Sequence, residues 1–139
     1  MTPSELTDKP RRRRRWRPSA RHRDARTCWL LEQAVAAAFA VPVDAVRASS
    51  RSTAEVAFAR QCAMYLAHVA LGASCHAVGR LFHRDRTTVA HACQLVELRR
   101  DDPAIDRMLD MLQGVCGDLA HHLARDLAHA GRAQPRGPR

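Results

Sequence analysis

Arg84, Asp85, Arg86, Thr87 and Thr88 follow one another without a break, and His91 comes one helical turn after Thr87. No candidate nucleophile here has the elbow and partner that Ser–His–Asp or Cys–His catalysis requires, so catalysis is not the chemistry expected of the set. The residue types suit hydrogen bonding to the edges of bases. A threonine methyl can lie against a thymine methyl while its hydroxyl meets a base edge, and a carboxylate accepts from the amino group of cytosine or adenine. A guanidinium such as that of Arg86 can fork onto guanine or clamp a phosphate. Thr88 and His91 suit phosphate oxygens. Asp85 has an ordinary alternative as a helix cap, and the two roles are compatible.

Other chemistries find little support. The five cysteines, at positions 28, 62, 75, 93 and 116, form no CxxC pair and no zinc or disulfide spacing. They are expected to be free and structural, and with no signal peptide they point to a reducing cytoplasm. His121 and His122, with Asp118 and Asp126 at helical spacing, fall short of a metal cluster, and His91 and Cys93 point to different helix faces. No Ser–His–Asp or Cys–His arrangement is recognisable. No G-x-x-x-x-G-K-[ST] phosphate loop occurs in the 139 residues. The expectation is a non-enzymatic chain with no cofactor and no metal. No apolar run approaches the roughly 20 residues that cross a bilayer, so no membrane partner is expected.

The elements that must position residues 84–91 are helices. Few aromatics and many Ala, Leu and Val favour close helix packing over sheet, and no period-two pattern appears. Thr27 is a plausible N-cap for a first amphipathic helix on Leu30, Leu31, Ala34, Val35, Ala38 and Phe39, with Trp29 expected in the core and Pro42 as the stop. Asp44 can cap a short helix reaching Arg47, and residues 48–52 are a polar connector. Thr53 opens a second long helix that Gly72 ends in a left-handed cap. Ser74 caps a short helix with Val78, Leu81 and Phe82 on its apolar side. Gly79 inside it costs about 1 kcal/mol relative to alanine, which a close helix approach would explain.

His83-Arg84 is then a tight turn, and Asp85 or Arg86 begins a helix to about Arg100. Setting about 100° per residue from Val89 places Ala92, Cys93 and Val96 on one stripe and Thr87, His91 and Gln94 opposite it. A short helix, a tight turn and a helix with exposed polar residues at its start is helix-turn-helix organisation, which lays the second helix in the major groove. Asp101-Asp102-Pro103 breaks that helix. A last one over about 104–129 carries Ile105, Met108, Leu109, Leu112, Val115, Cys116, Leu119, Leu123 and Leu127, and Gly131 closes it. The fold class expected is all-α: a helix-turn-helix bundle of five to six helices.

The charge of +9 is uneven. Residues 1–26 hold ten basic side chains against Glu5, Asp8 and Asp24, residues 132–139 add Arg132, Arg136 and Arg139, and the stretch between is close to neutral. The division expected is a disordered basic arm over 1–26, a DNA-binding domain over 27–115, an extension of the last helix over 116–131 and a disordered tail over 132–139. Arginine-rich ends can neutralise phosphates; equally, they can be solvated tails.

A family resemblance follows from the stretch RQCAMYLAHVALGASCHAVGRLFHRDRTTVAHACQLVE. It strongly resembles the C-terminal duplex-binding domain of the bacterial chromosomal replication initiator, DnaA, whose (F)xRDHTTVxHA signature is matched by Phe82, Arg84 to Val89, His91 and Ala92. The upstream AVAAAFAVPVDAVRASSRS resembles the family's first helix, turn and basic loop, so the resemblance covers about residues 28–112. It implies base reading by Asp85, Thr87, Thr88 and His91, phosphate contacts by Arg60 and Gln61, and a phosphate on the backbone amides of Cys75 and His76. It also implies an arginine from the basic loop in the minor groove: Arg51, with Arg47 second. Arg86 stands where the family has histidine, so preference at that base step is expected to differ.

The function expected is a sequence-specific double-stranded DNA-binding regulator of transcription or replication initiation, cytoplasmic and nucleoid-associated, acting at sites related to initiator boxes. The alternative is a protein–protein modulator of the initiator or its inactivation machinery. The long apolar stripe of the last helix offers a face to a protein partner or a homodimer.

Overall fold

The computed structural model describes residues 25–48 and 53–132. The greater part of the expected arm and tail, and Arg51 with them, lies outside the described residues. Within them the chain forms α1 (Ala25–Phe39), α2 (Val43–Arg47), α3 (Ala54–Val69), α4 (Cys75–Phe82), α5 (Arg86–Arg99) and α6 (Pro103–Arg132). The fold is all-α, and no strand occurs among the described residues.

Helix ends follow local chemistry. The Thr53 hydroxyl accepts from the Val56 amide at 3.3 Å and the Ser74 hydroxyl from the Ala77 amide at 3.1 Å, so both are N-caps. Gly72 takes the left-handed conformation, φ 67°, just past α3. Asp102 caps α6 through its carboxylate, which accepts from the Ala104 amide at 2.9 Å.

Several boundaries differ from expectation. α1 begins at Ala25, so Thr27 lies inside the helix and is buried rather than capping it. α1 ends because Ala40 turns left-handed, φ 52°, with the Val41 amide donating back to the Ala36 carbonyl at 3.0 Å. Pro42 is therefore not the stop but the N-cap of α2, and Asp44 sits in that helix's first turn. α6 runs through Gly131 to Arg132, because one glycine near a helix end does not force termination.

The core is built on α3, which packs against every other helix. Tyr65, Leu66 and Met64 of α3 meet Leu31 and Val35 of α1, Phe82 of α4, Val89 and Val96 of α5, and Leu109 of α6 within one buried cluster. Trp29 is not in that core: it is 52% exposed, because Cys28 and Leu31 take the inward positions on either side of it. Val115 is likewise exposed, whereas Leu112, Cys116 and Ala120 face inward. None of the five cysteines forms a disulfide, and Cys28, Cys62 and Cys116 are buried.

A buried polar hub ties the far end of α5 to α6. Arg100 donates to the Tyr65 hydroxyl at 3.1 Å, to Asp106 at 2.7 Å, to Asp110 at 3.0 Å and to Gln113 at 3.2 Å. Tyr65 in turn donates to Glu97 at 2.5 Å. Burial, followed by the bond to Glu97, pushes the Tyr65 hydroxyl up to about 12.

Candidate nucleic-acid interface

α4 and α5 pack on each other through Val78 and Phe82 on one side and Val89 on the other. His83 caps α4 in the left-handed conformation, φ 53°, and the Arg84 amide donates back to the Gly79 carbonyl at 2.8 Å. This is the tight turn of a helix-turn-helix. Its close approach falls on Gly79, where a β-carbon would collide with the Arg84 carbonyl oxygen. The obstacle is the backbone of the turn rather than a neighbouring helix.

The turn delivers Asp85 as the N-cap residue of α5 in an extended conformation, but its side chain makes no capping bond. The carboxylate accepts instead from the Thr87 hydroxyl at 3.0 Å. Arg86, Thr87, Thr88 and His91 are all exposed, while Val89, Ala92 and Val96 are buried behind them. The partition read from periodicity therefore stands, except that Cys93 is only half-buried. Arg84 is half-buried and donates to the Ala48 carbonyl at 3.2 Å, so it holds the turn against the end of α2.

The other expected residues divide. Cys75 and His76 open α4 beside the turn, with His76 exposed and Cys75 half-buried. Gln61 is half-buried on α3. Arg60 points inward: it is 9% exposed and donates to the carbonyls of Val46 and Ala45, both at 2.9 Å. It therefore anchors α2 rather than presenting an open fork to a phosphate, and desolvation, followed by the charge of Arg84, lowers its pKa. Arg47 is exposed, but its Nε donates to the buried Glu32 at 2.6 Å. That bond is the largest cause of its raised pKa.

The end of α2 is thus fixed by three guanidinium links, to Glu32, from Arg60 and from Arg84. Sequence reasoning missed Glu32, because a glutamate on an amphipathic helix reads as solvated until its partner is known. It also missed Arg80 and His83, which line a shallow depression with His76, Gly79 and residues 84–86. The four-residue spacing of His76 and Arg80, which places them on one side of α4, was the available signal.

This geometry has relatives. A family model for the helix-turn-helix of bacterial DnaA protein matches residues 30–96. Residues 30–96 thus form a segment similar to the helix-turn-helix of bacterial DnaA protein. Over 82 residues the chain is 35% identical to chromosomal replication initiator protein DnaA 1 of Protochlamydia amoebophila, covering 58% of this chain and 18% of the relative. It is 32% identical over 80 residues to DnaA 2 of Chlamydia pneumoniae, again covering 18% of that relative. A crystal structure described as a DNA replication initiation factor superposes with a TM-score of 0.62 at 28% identity, covering 72% of this chain and 30% of that one. The likeness to DnaA therefore lies in its helix-turn-helix segment, and the chain spans about a fifth of the length of these curated relatives. No helix among the described residues is long and apolar enough to cross a membrane.

Proposed function

We propose that the protein is a non-enzymatic, sequence-specific reader of double-stranded DNA at sites related to the initiator's boxes, serving to regulate transcription or replication initiation. One observation carries the reading: Asp85, Arg86, Thr87, Thr88 and His91 stand exposed together on the first turns of α5, whose opposite face is fixed in the core. Helices held this way dock their N-terminal side chains on base edges in the major groove. His76, Arg80 and His83 border that surface on the α4 side and suit phosphates. The arginine-rich ends add sequence-independent affinity, and Arg51 or Arg47 supplies a minor-groove contact. The setting would be the cytoplasm, on the nucleoid. Exposed Met111 and Val115 on α6 favour an accompanying protein contact, with a partner or a second copy.

The test is binding to an initiator-box duplex and to a scrambled duplex at two salt concentrations. The expected result is a preference for the box that Arg86→Ala/Thr87→Ala removes while residual binding remains. Equal affinity for both duplexes would leave a charge-driven nucleoid protein, and no binding to either would leave the protein–protein modulator.

A further inference from the structure

Away from the reading end, residues of α3 and α5, with Asp101 just beyond α5, line a cleft of about 630 Å³. Tyr65 forms its floor, and His68, Val69, Cys93, Gln94, Glu97, Leu98 and Asp101 line it. Leu98 stands on its rim 68% exposed, the most exposed of the large apolar residues described. The volume lies in the range that holds a compact organic group. The charges around it are unbalanced. Glu97 and Asp101 line it, and the guanidinium of Arg100, which meets Tyr65 of the floor, is already engaged by Asp106 and Asp110. An occupant should therefore combine a flat apolar body with flanking positive charge.

The chain itself contains such a group. Trp16 lies between Arg15 and Arg17, directly after the run that starts at Arg11. It precedes the start of α1 at Ala25 by nine residues, an extended length of about 30 Å. α1 packs on α6, where Cys28 neighbours Cys116. Gln113, one turn before Cys116, meets the same Arg100 that touches the cleft floor at Tyr65.

We propose that the α3–α5 cleft is the docking site of the chain's own arm, with Trp16 in the apolar cleft and its flanking arginines on Glu97 and Asp101, and that a duplex competes for the arm. Docked, those arginines are withheld from phosphates. On a duplex the higher density of negative charge draws them off. The competition step rests on the DNA-reading function proposed above; the docking step does not.

The experiment uses the full chain with Trp29→Phe, which leaves Trp16 as the sole tryptophan and alters a half-exposed position. Without DNA, Trp16 emission is expected to be blue-shifted and several-fold protected from iodide quenching. Leu98→Arg, which adds a like charge at the rim without touching the Tyr65 network, should return both signals to those of hydrated indole with the urea midpoint little changed. It should also raise duplex affinity several-fold. Fully hydrated Trp16 emission in the parent, or emission unaffected by Leu98→Arg, overturns the docking. A blue shift that grows with protein concentration, alongside a sedimenting dimer, overturns it in favour of a second copy. A Leu98-dependent shift in a protein that binds no duplex upholds the docking and overturns the DNA-reading function instead.

Discussion

The carbonyl oxygen of Arg84 occupies the space that the first carbon of a side chain on residue 79 would need. The same two residues are joined in the other direction, because the Arg84 amide donates to the Gly79 carbonyl at 2.8 Å. The turn is folded flat against the glycine, and that contact sets where α5 begins. Gly79→Ala should therefore destabilise the protein by about 1–3 kcal/mol, although alanine is the better helix former by about 1 kcal/mol. Urea unfolding measures it. An alanine variant as stable as the parent would show that the turn does not lie so close.

The Arg100 hub predicts a second loss. Its side chain is 5% exposed, whereas Asp106 and Asp110 are 36% and 59% exposed and can regain water once the arginine is gone. Arg100→Met should cost about 2–3 kcal/mol, below the full cost of breaking a buried pair for that reason. Tyr65→Phe combined with it should be non-additive by at least about 0.5 kcal/mol, since both residues share one hydrogen bond. Additive losses would mean that the Tyr65–Arg100 contact contributes nothing.

Much of this was legible in the sequence, and the failures share a cause. Thr53, Ser74 and Gly72 announce helix ends because their chemistry is local, and the α5 face partition follows from Val89 and its neighbours at helical spacing. Thr27 and Trp29 misled because a cap and a core position depend on where the helix starts and which neighbour covers it. Arg60 misled for a related reason: its partners are carbonyls of α2, fourteen and fifteen residues away. A sequence motif shows that an arginine is present without showing which way it turns. In the proposed reading surface, Asp85, Thr87 and His91 were visible as a pattern, whereas Glu32, which holds the neighbouring Arg47, was not.

Alkaline pH should unfold the protein in a specific window. Burial pushes the Cys62 and Cys116 thiols up from 9.0 to about 12, and the Tyr65 hydroxyl from 10.0 to about 12. These raised values mean that the folded state keeps protons the unfolded chain has already released. Their contribution is complete below the unfolded value of 9.0 and is lost as pH rises toward about 12. Urea-derived stability should fall steeply above about pH 9. Cys62→Ala/Cys116→Ala, less stable at neutral pH, should show a shallower decline. Equal slopes for parent and variant would assign the decline to other groups.

The Asp85–Thr87 bond separates reading from folding. Because the carboxylate makes no capping bond to α5, Asp85→Asn should change stability by less than about 0.5 kcal/mol. Thr87→Val keeps the shape but removes the hydroxyl that holds the carboxylate. Each change should weaken preference for a box duplex by about 1–3 kcal/mol, with the salt dependence of binding unaltered, since neither residue neutralises a phosphate. Competition binding at two salt concentrations measures both quantities. A Thr87→Val protein with parental preference would remove this pair from the reading surface.

Glu32 provides the remaining test, because it holds Arg47 of the proposed interface without belonging to that interface. Its carboxylate is buried, with Oε2 bonded to the exposed Arg47 at 2.6 Å and Oε1 without a hydrogen-bond partner among the described residues. A carboxylate half-satisfied in the interior is costly, and this one fixes Arg47 at the end of α2, where Arg60 and Arg84 also converge. Glu32→Gln preserves volume and removes the charge. The stability change should therefore be small, within about 1 kcal/mol in either direction, because relief of the buried charge offsets the lost ion pair. Duplex affinity should nevertheless fall several-fold, and Arg47→Ala should bring it to the same level in either background. Additive losses from Glu32→Gln and Arg47→Ala would show that the two residues act on binding by separate routes.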